Sequence, residues 1–203
     1  MAKDRTEWNS RYEKGDLPWD SNIRSRELAR VIDEIPIAPC RAVELGCGTG
    51  TNALFLAEQG FSVTAFDISS VATQQATLRA NEAGLHVDFI SDDLCSLEWT
   101  GEPFDFIFDR GCYHCAREES VEGLQAALAT LSKPGTRYLS LIGNTTERNG
   151  NEPAMTEEEI RTEYSRLFDI DELRPVYLED AGGAKGPLAW SCLMTRPRSI
   201  TNS

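Results

Sequence analysis

A chain of 203 residues, 40% hydrophobic and 26% charged, suits a single packed domain of ordinary globular composition. Its formal charge of −13, from 20 Lys and Arg against 33 Asp and Glu, argues against a nucleic-acid partner, which would be held through many basic contacts to phosphate. No stretch reaches the roughly 18 apolar residues of a membrane helix, and Met1-Ala2-Lys3-Asp4-Arg5 opens no apolar leader, so a cytoplasmic protein with no membrane partner is expected.

Residues 1–22 are polar, with Trp8, Tyr12, Pro18 and Trp19 set among charges. Trp8 and Tyr12 are four apart and share one face of a short helix, which Gly15-Asp16-Leu17-Pro18 breaks. A segment this polar owns no core, so its tryptophans either dock as a flap or seal a domain edge. A helix is predicted over 22–34, with Leu28, Val31, Ile32 and Ile35 on one side and Pro36 and Pro39 behind it.

Strand and helix signals then alternate: strand 42–45, helix 51–59, strand 62–66, helix 69–83, and strands 87–90 and 104–109. Helix 118–132 follows, closed by Lys133-Pro134-Gly135, then strand 136–143. Such alternation with short links predicts a parallel sheet with helices on both faces. Thr156 followed by Glu159 marks a capped helix running to about 168. Two strand-like runs, 170–178 and 188–195, are joined by the Gly-rich 182–187 and are most simply an antiparallel hairpin. The expected fold is α/β: a Rossmann-like, mostly parallel seven-stranded sheet with an antiparallel C-terminal hairpin, in one domain over 1–203 with a frayed tail at 198–203.

The six cysteines read as reduced thiols in packing roles. Cys112 and Cys115 form a C-x-x-C around His114, but no second ligand pair completes a zinc site and no thioredoxin-like context surrounds a redox dithiol. Packing or pocket lining is the favoured reading, and no metal is expected.

Ligands of such sheets lie beyond the carboxyl ends of the strands. The first strand delivers Glu44 and the loop Gly46-Cys47-Gly48-Thr49-Gly50, whose backbone N–H groups face a ligand at a helix N-terminus. The second delivers Asp67 and Ile68, with Asp67 placed 19 residues after Gly48 to grip two ribose hydroxyls. The third delivers Asp92, Asp93 and Leu94, and the fourth Asp109-Arg110-Gly111-Cys112-Tyr113-His114. Thr51 stands where a dinucleotide fingerprint wants glycine. The carboxylates around the loop suit ammonium and sulfonium charges better than a pyrophosphate, which favours S-adenosyl-L-methionine over NAD.

At these residues the sequence resembles the class I S-adenosylmethionine-dependent methyltransferases, with Glu44-Leu45-Gly46-Cys47-Gly48-Thr49-Gly50 similar to their first motif. The resemblance implies that Gly46, Cys47, Gly48 and Gly50 lie along the methionine portion and that Glu44 helps hold its ammonium end. It implies Asp67, beside Ile68, as the ribose acid. Asp93 with Leu94, or Asp92 by a one-residue shift, would stand near the adenine amino group. Asp109 would contact the methionine amine or shape the substrate pocket. S-adenosyl-L-homocysteine would be the product.

Trp8-Asn9-Ser10-Arg11-Tyr12-Glu13-Lys14-Gly15 with Pro18-Trp19-Asp20 resembles a narrower small-molecule branch. That branch holds thiopurine S-methyltransferases, plant-type halide and thiol methyltransferases, and tellurite-resistance methyltransferases. It implies a cofactor lid at 1–22 contacting through Trp8, Tyr12 and Trp19. The acceptor it implies is a thiol, thiopurine-like, halide or chalcogen nucleophile; a phenolic or quinol oxygen, or binding without turnover, is the alternative.

Soft nucleophiles need no strong base, whereas a phenol benefits from one. His114 is the candidate base, its ordinary pKa lying near neutrality, or else it caps the loop after the fourth strand. His86 reads as structural. Tyr113 and Trp190 wall an aromatic substrate or belong to the core, and 151–154 is where a substrate-covering loop would lie.

Overall fold

The computed structural model describes residues 4–35, 37–147, 153–180 and 185–198. Seven strands form one sheet in the order β3-β2-β1-β4-β5-β7-β6. These are β1 (Arg41–Leu45), β2 (Ser62–Asp67), β3 (Val87–Ser91), β4 (Phe104–Arg110), β5 (Ser132–Gly143), β6 (Asp169–Glu179) and β7 (Lys185–Thr195). The first five run parallel; β7 lies antiparallel between β5 and β6. The expected mostly parallel sheet with a C-terminal antiparallel hairpin is the observed one. Residues 182–184 of its connection, together with 151–152 of the expected substrate loop and most of the tail, fall outside the described residues.

Strand alternation sorts the core into two layers. In β1 and β4, Ala42, Phe106 and Phe108 face a cluster with Leu28, Val31, Phe55 and Leu56, from α2 (Arg26–Glu34) and α3 (Thr51–Glu58). Val43, Leu45 and Ile107 face the opposite cluster with Leu124, Leu128, Ile160 and Tyr164, from α6 (Val121–Leu131) and α7 (Glu157–Tyr164). α4 (Ser70–Ala83) follows β2 and packs on β3, with Ala72, Ala76 and Ala80 buried. No helix among the described residues is long and apolar enough to cross a membrane.

Local chemistry explains where the elements depart from the sequence expectation. The helix predicted from residue 22 starts at Arg26, because Asn22 takes φ 55° and Ser25 caps by accepting the Leu28 N–H, a contribution of about 1 kcal/mol. The helix predicted over 118–132 is α6, which starts at Val121 because Ser120 caps it, and an unpredicted single turn, α5 (Tyr113–Ala116), precedes it. Lys133-Pro134-Gly135 does not sit outside the sheet but forms an irregular start to β5, where the pairing to β4 slips between Phe104 and Phe106. The expected cap at Thr156 is a full capping box with Glu159, and a second box, Asp4 with Glu7, starts α1 (Arg5–Lys14).

Candidate active site

The glycine loop joins β1 to α3 at the carboxyl edge of the sheet. Gly46 has φ 65°, and a Cβ there would stand 2.6 Å from Cys112 Cβ and 2.8 Å from its Sγ. Gly48 has φ 53° and lies under the Tyr12 hydroxyl, which would be 3.0 Å from an added Cβ. Both positions therefore need glycine for conformation and for space. The Cys47 side chain is buried with the α2 and α3 core, which leaves only its backbone for the ligand contact expected of it.

Asp67 fastens the loop. Its Oδ2 accepts the Gly48 N–H at 2.8 Å and its Oδ1 accepts the Ser69 N–H at 2.8 Å. Burial raises its pKa, and those two N–H donors oppose the rise. Each oxygen keeps a lone pair, so the ribose grip inferred for Asp67 is compatible with its place in the loop.

Glu44 is 2% exposed beneath the same loop. Its Oε1 is 3.4 Å from Asn52 Nδ2, while its buried Oε2 has no hydrogen-bond partner. Burial pushes its carboxyl up to about 8; Asn52 and the Ala53 N–H pull the other way, Asp67 pushes further, and Arg110 pulls back. A buried acceptor without a donor is costly to keep and is satisfied by a cationic donor. The donor set here, an orphaned carboxylate oxygen, a loop of N–H groups and Asp67, fits an ammonium-bearing nucleoside.

Beyond β3, the Asp92 side chain accepts the Asp93 N–H and the Asp93 side chain accepts the Cys95 N–H, both at 2.8 Å. Both carboxylates are half-buried in a turn, and Leu94 is in the core. Ile68 is half-buried, with its carbonyl accepting from Ser91 Oγ at 3.4 Å.

The N-terminal segment covers this edge. Trp19 is its centre: the Trp8 ring meets it edge-on at 5.4 Å, Tyr12 at 6.2 Å, and the Arg11 guanidinium lies 4.1 Å above it. Polar contacts tie the segment down. Asn9 Oδ1 accepts from Ser69 Oγ at 2.7 Å, and Thr49 Oγ1 donates to Asp20 Oδ2 at 2.7 Å. Arg79 donates to Thr49 and Thr51 behind that contact. Of these rings Tyr12 lies against the glycine loop, its hydroxyl over Gly48, and Trp19 packs between it and Trp8.

Asp109 takes a different place from the expected one, and for His114, Tyr113 and Trp190 the contacts favour one of the two readings. Asp109 is fully buried and saturated: Tyr138 Oη and Ser140 Oγ donate to Oδ2 at 2.7 and 2.5 Å, and the Cys112 and Tyr113 N–H groups donate to Oδ1 at 3.0 and 3.1 Å. It braces β4, β5 and the start of α5, rather than reaching a cofactor amine. His114 is buried, and its Nδ1 accepts the Gly143 N–H at 3.0 Å. A backbone N–H can only donate, so the neutral ring carries its proton on Nε2 and has no basic nitrogen to offer a substrate. Tyr113 is core, donating to Glu163 Oε2 at 3.0 Å and accepting from Gln125. The Trp190 indole packs on the core and donates to the Met155 carbonyl at 3.2 Å.

Cys112 packs on Gly46, and all six cysteines are free thiols. Residues that the sequence reading left without a role complete the site. Arg110 stands inside a motif already singled out, yet its partners are backbone carbonyls, which leave no trace in a sequence. Thr49 and Arg79 could have been paired only by knowing that α4 passes the loop.

Comparison with known proteins agrees with this geometry. A methyltransferase-domain family model matches residues 42–135. A protein of Arabidopsis thaliana called probable thiol methyltransferase 2 is 31% identical over 149 residues, 72% of this chain and 65% of that protein, so the chain spans just under two thirds of that relative. Among solved structures, one described by the conversion of a disulfide bond into a thioacetal group during echinomycin biosynthesis superposes with TM-score 0.82 at 21% identity, covering 95% of this chain and 93% of the other. The Burkholderia thailandensis 1,6-didemethyltoxoflavin-N1-methyltransferase, with S-adenosylhomocysteine bound, gives TM-score 0.73 at 20% identity over 96% and 87%. The chain is thus similar to a methyltransferase domain over residues 42–135 and shares its overall fold with these two solved structures.

Proposed function

We propose that this chain transfers a methyl group from S-adenosyl-L-methionine to a small soft nucleophile, a thiol first among the candidates with thiopurine-like, halide and chalcogen acceptors beside it. When bound, the cofactor supplies an electrophilic methyl on a sulfonium. Glu44 Oε2 would hold the ammonium group, the N–H groups of Gly46 to Gly50 the methionine portion, and Asp67 the ribose. Asp92 or Asp93, with Leu94 and Ile68, would border the adenine. Trp8, Tyr12 and Trp19 would cover the site and exclude water, leaving proximity and alignment as the protein's main contribution.

The observation that carries the choice of acceptor is the state of His114 and Asp109. One gives its lone pair to the Gly143 N–H, and the other has four donors on its two oxygens. A nucleophile that is already anionic or easily ionised needs neither; a phenol would need a base that these residues do not supply. The Arabidopsis relative's name points the same way. Six free cysteines agree with work in a reducing compartment.

The test has two steps. Calorimetric titration with S-adenosylhomocysteine should give saturable heat; no heat at millimolar ligand sinks the cofactor assignment. Methyl-labelled cofactor offered with thiols, iodide and phenols should then label thiols or iodide first, and label found only on phenols would overturn the acceptor class.

A further inference from the structure

Trp19 organises the lid, and the side chain that hydrogen-bonds its backbone carbonyl is Arg110. Arg110 ends β4, and its long side chain is 14% exposed. Its Nη1 donates to the Trp19 carbonyl at 3.0 Å and its Nη2 to the Glu179 carbonyl, at the end of β6, at 3.1 Å. Its Nε lies 3.8 Å from Glu179 Oε2. The other oxygen of that carboxylate accepts the Arg26 N–H, in the first turn of α2, at 2.7 Å. One guanidinium therefore ties the lid to two parts of the body that are far apart in sequence.

The fork geometry matters. Two carbonyls in different directions are met by two guanidinium nitrogens at once, which a lysine ammonium on a flexible stem does not reproduce in fixed orientation. On the far side of Trp19 the next residue, Asp20, is fastened to Thr49 of the glycine loop and through it to Arg79. The backbone is thus pinned on both sides of the ring that meets Trp8, Tyr12 and Arg11. Burial disfavours the charge on Arg110, and Glu179, Asp20 and Glu44 offset that cost.

We infer that Arg110 is a positioning residue for the methyl-transfer site: its fork on the Trp19 and Glu179 carbonyls sets the cofactor lid in its closed place over the glycine loop. The inference rests on the cofactor reading above. Arg110 acts through Trp19 and needs no contact with the reacting atoms.

The test compares wild type, Arg110→Lys and Arg110→Met in two arms. In the first, limited trypsin digestion of the ligand-free proteins follows cleavage after Lys14. The Met variant should be cut several-fold faster, the Lys variant at an intermediate rate. In the second, S-adenosylhomocysteine affinity should fall about tenfold in the Met variant, the worth of one charge-assisted hydrogen bond, with partial recovery in the Lys variant. A merely structural arginine would lower the unfolding midpoint alike with and without ligand, whereas a lid arginine shrinks the ligand-induced rise. Unchanged Lys14 cleavage together with unchanged affinity overturns the proposal, as does a lowered midpoint with the ligand-induced rise intact. If wild type itself binds no S-adenosylhomocysteine, the cofactor reading falls, and the digestion arm alone still decides whether Arg110 holds the lid.

Discussion

Replacing Glu44 by Gln removes a buried ionisable group and leaves its shape. The wild-type carboxyl is pushed from an ordinary 4.5 up to about 8, chiefly by burial. Between those values the folded state keeps a proton that the unfolded chain has lost, so stability falls as pH rises through that window. At about 1.4 kcal/mol per pH unit the window amounts to about 5 kcal/mol, fully spent only above pH 8. Urea unfolding of the ligand-free proteins from pH 5 to 8 should therefore show wild type losing stability more steeply than Glu44→Gln. An ammonium group at Oε2 requires the ionised carboxylate. At pH 7, where a group with pKa about 8 is roughly nine-tenths protonated, binding of S-adenosylhomocysteine should release close to one proton from wild type that the Gln variant does not release. Calorimetry in two buffers of different ionisation enthalpy measures that difference, with Asp67 common to both proteins. Equal proton release and parallel pH slopes would refute the role given to Glu44.

Asp109→Ala should cost about 3–5 kcal/mol in denaturant unfolding, because two hydroxyls and two N–H groups lose a buried acceptor together; a loss under about 1 kcal/mol would remove it as the brace of this end of the sheet. His114→Asn places an amide oxygen near the position of Nδ1 and keeps the Gly143 bond, so kcat should stay within about fivefold and the pH profile should not move; a loss beyond about a hundredfold, of the order general-base catalysis contributes, would restore His114 as a base. Gly46→Ala brings a Cβ to 2.6 Å from Cys112 Cβ at a positive φ and should destabilise the ligand-free fold by about 2 kcal/mol or more; an unchanged unfolding midpoint would show that the loop relaxes.

Much of the sheet and its loop was legible because their constraints act on residue type. Positive φ and close approach demand glycine at 46 and 48, and the Trp8–Tyr12 spacing put both rings on one helix face, where they converge on Trp19. What stayed hidden depends on partners that a sequence does not display. Asp109 looks like a ligand acid until Tyr138 and Ser140, 29 and 31 residues later, are brought against it by the pairing of β4 with β5. His114 looks like a base until a backbone N–H fixes its tautomer, and Arg110 has no visible task because it grips carbonyls. Lys133-Pro134-Gly135 carries turn chemistry, yet the sheet absorbs it as an irregular strand start, tertiary pairing overriding local preference.

The central claim, methyl transfer to a soft nucleophile without a general base, is met most directly by one single-turnover experiment. Enzyme loaded with methyl-labelled S-adenosylmethionine is mixed with a small thiol and with a phenol of similar size, across pH 6 to 9. The account expects label on the thiol, at a rate that follows ionisation of the thiol in solution and is the same in wild type and His114→Asn. Label on the phenol alone, or a thiol rate governed by an ionisation that vanishes in the His114 variant, would contradict it.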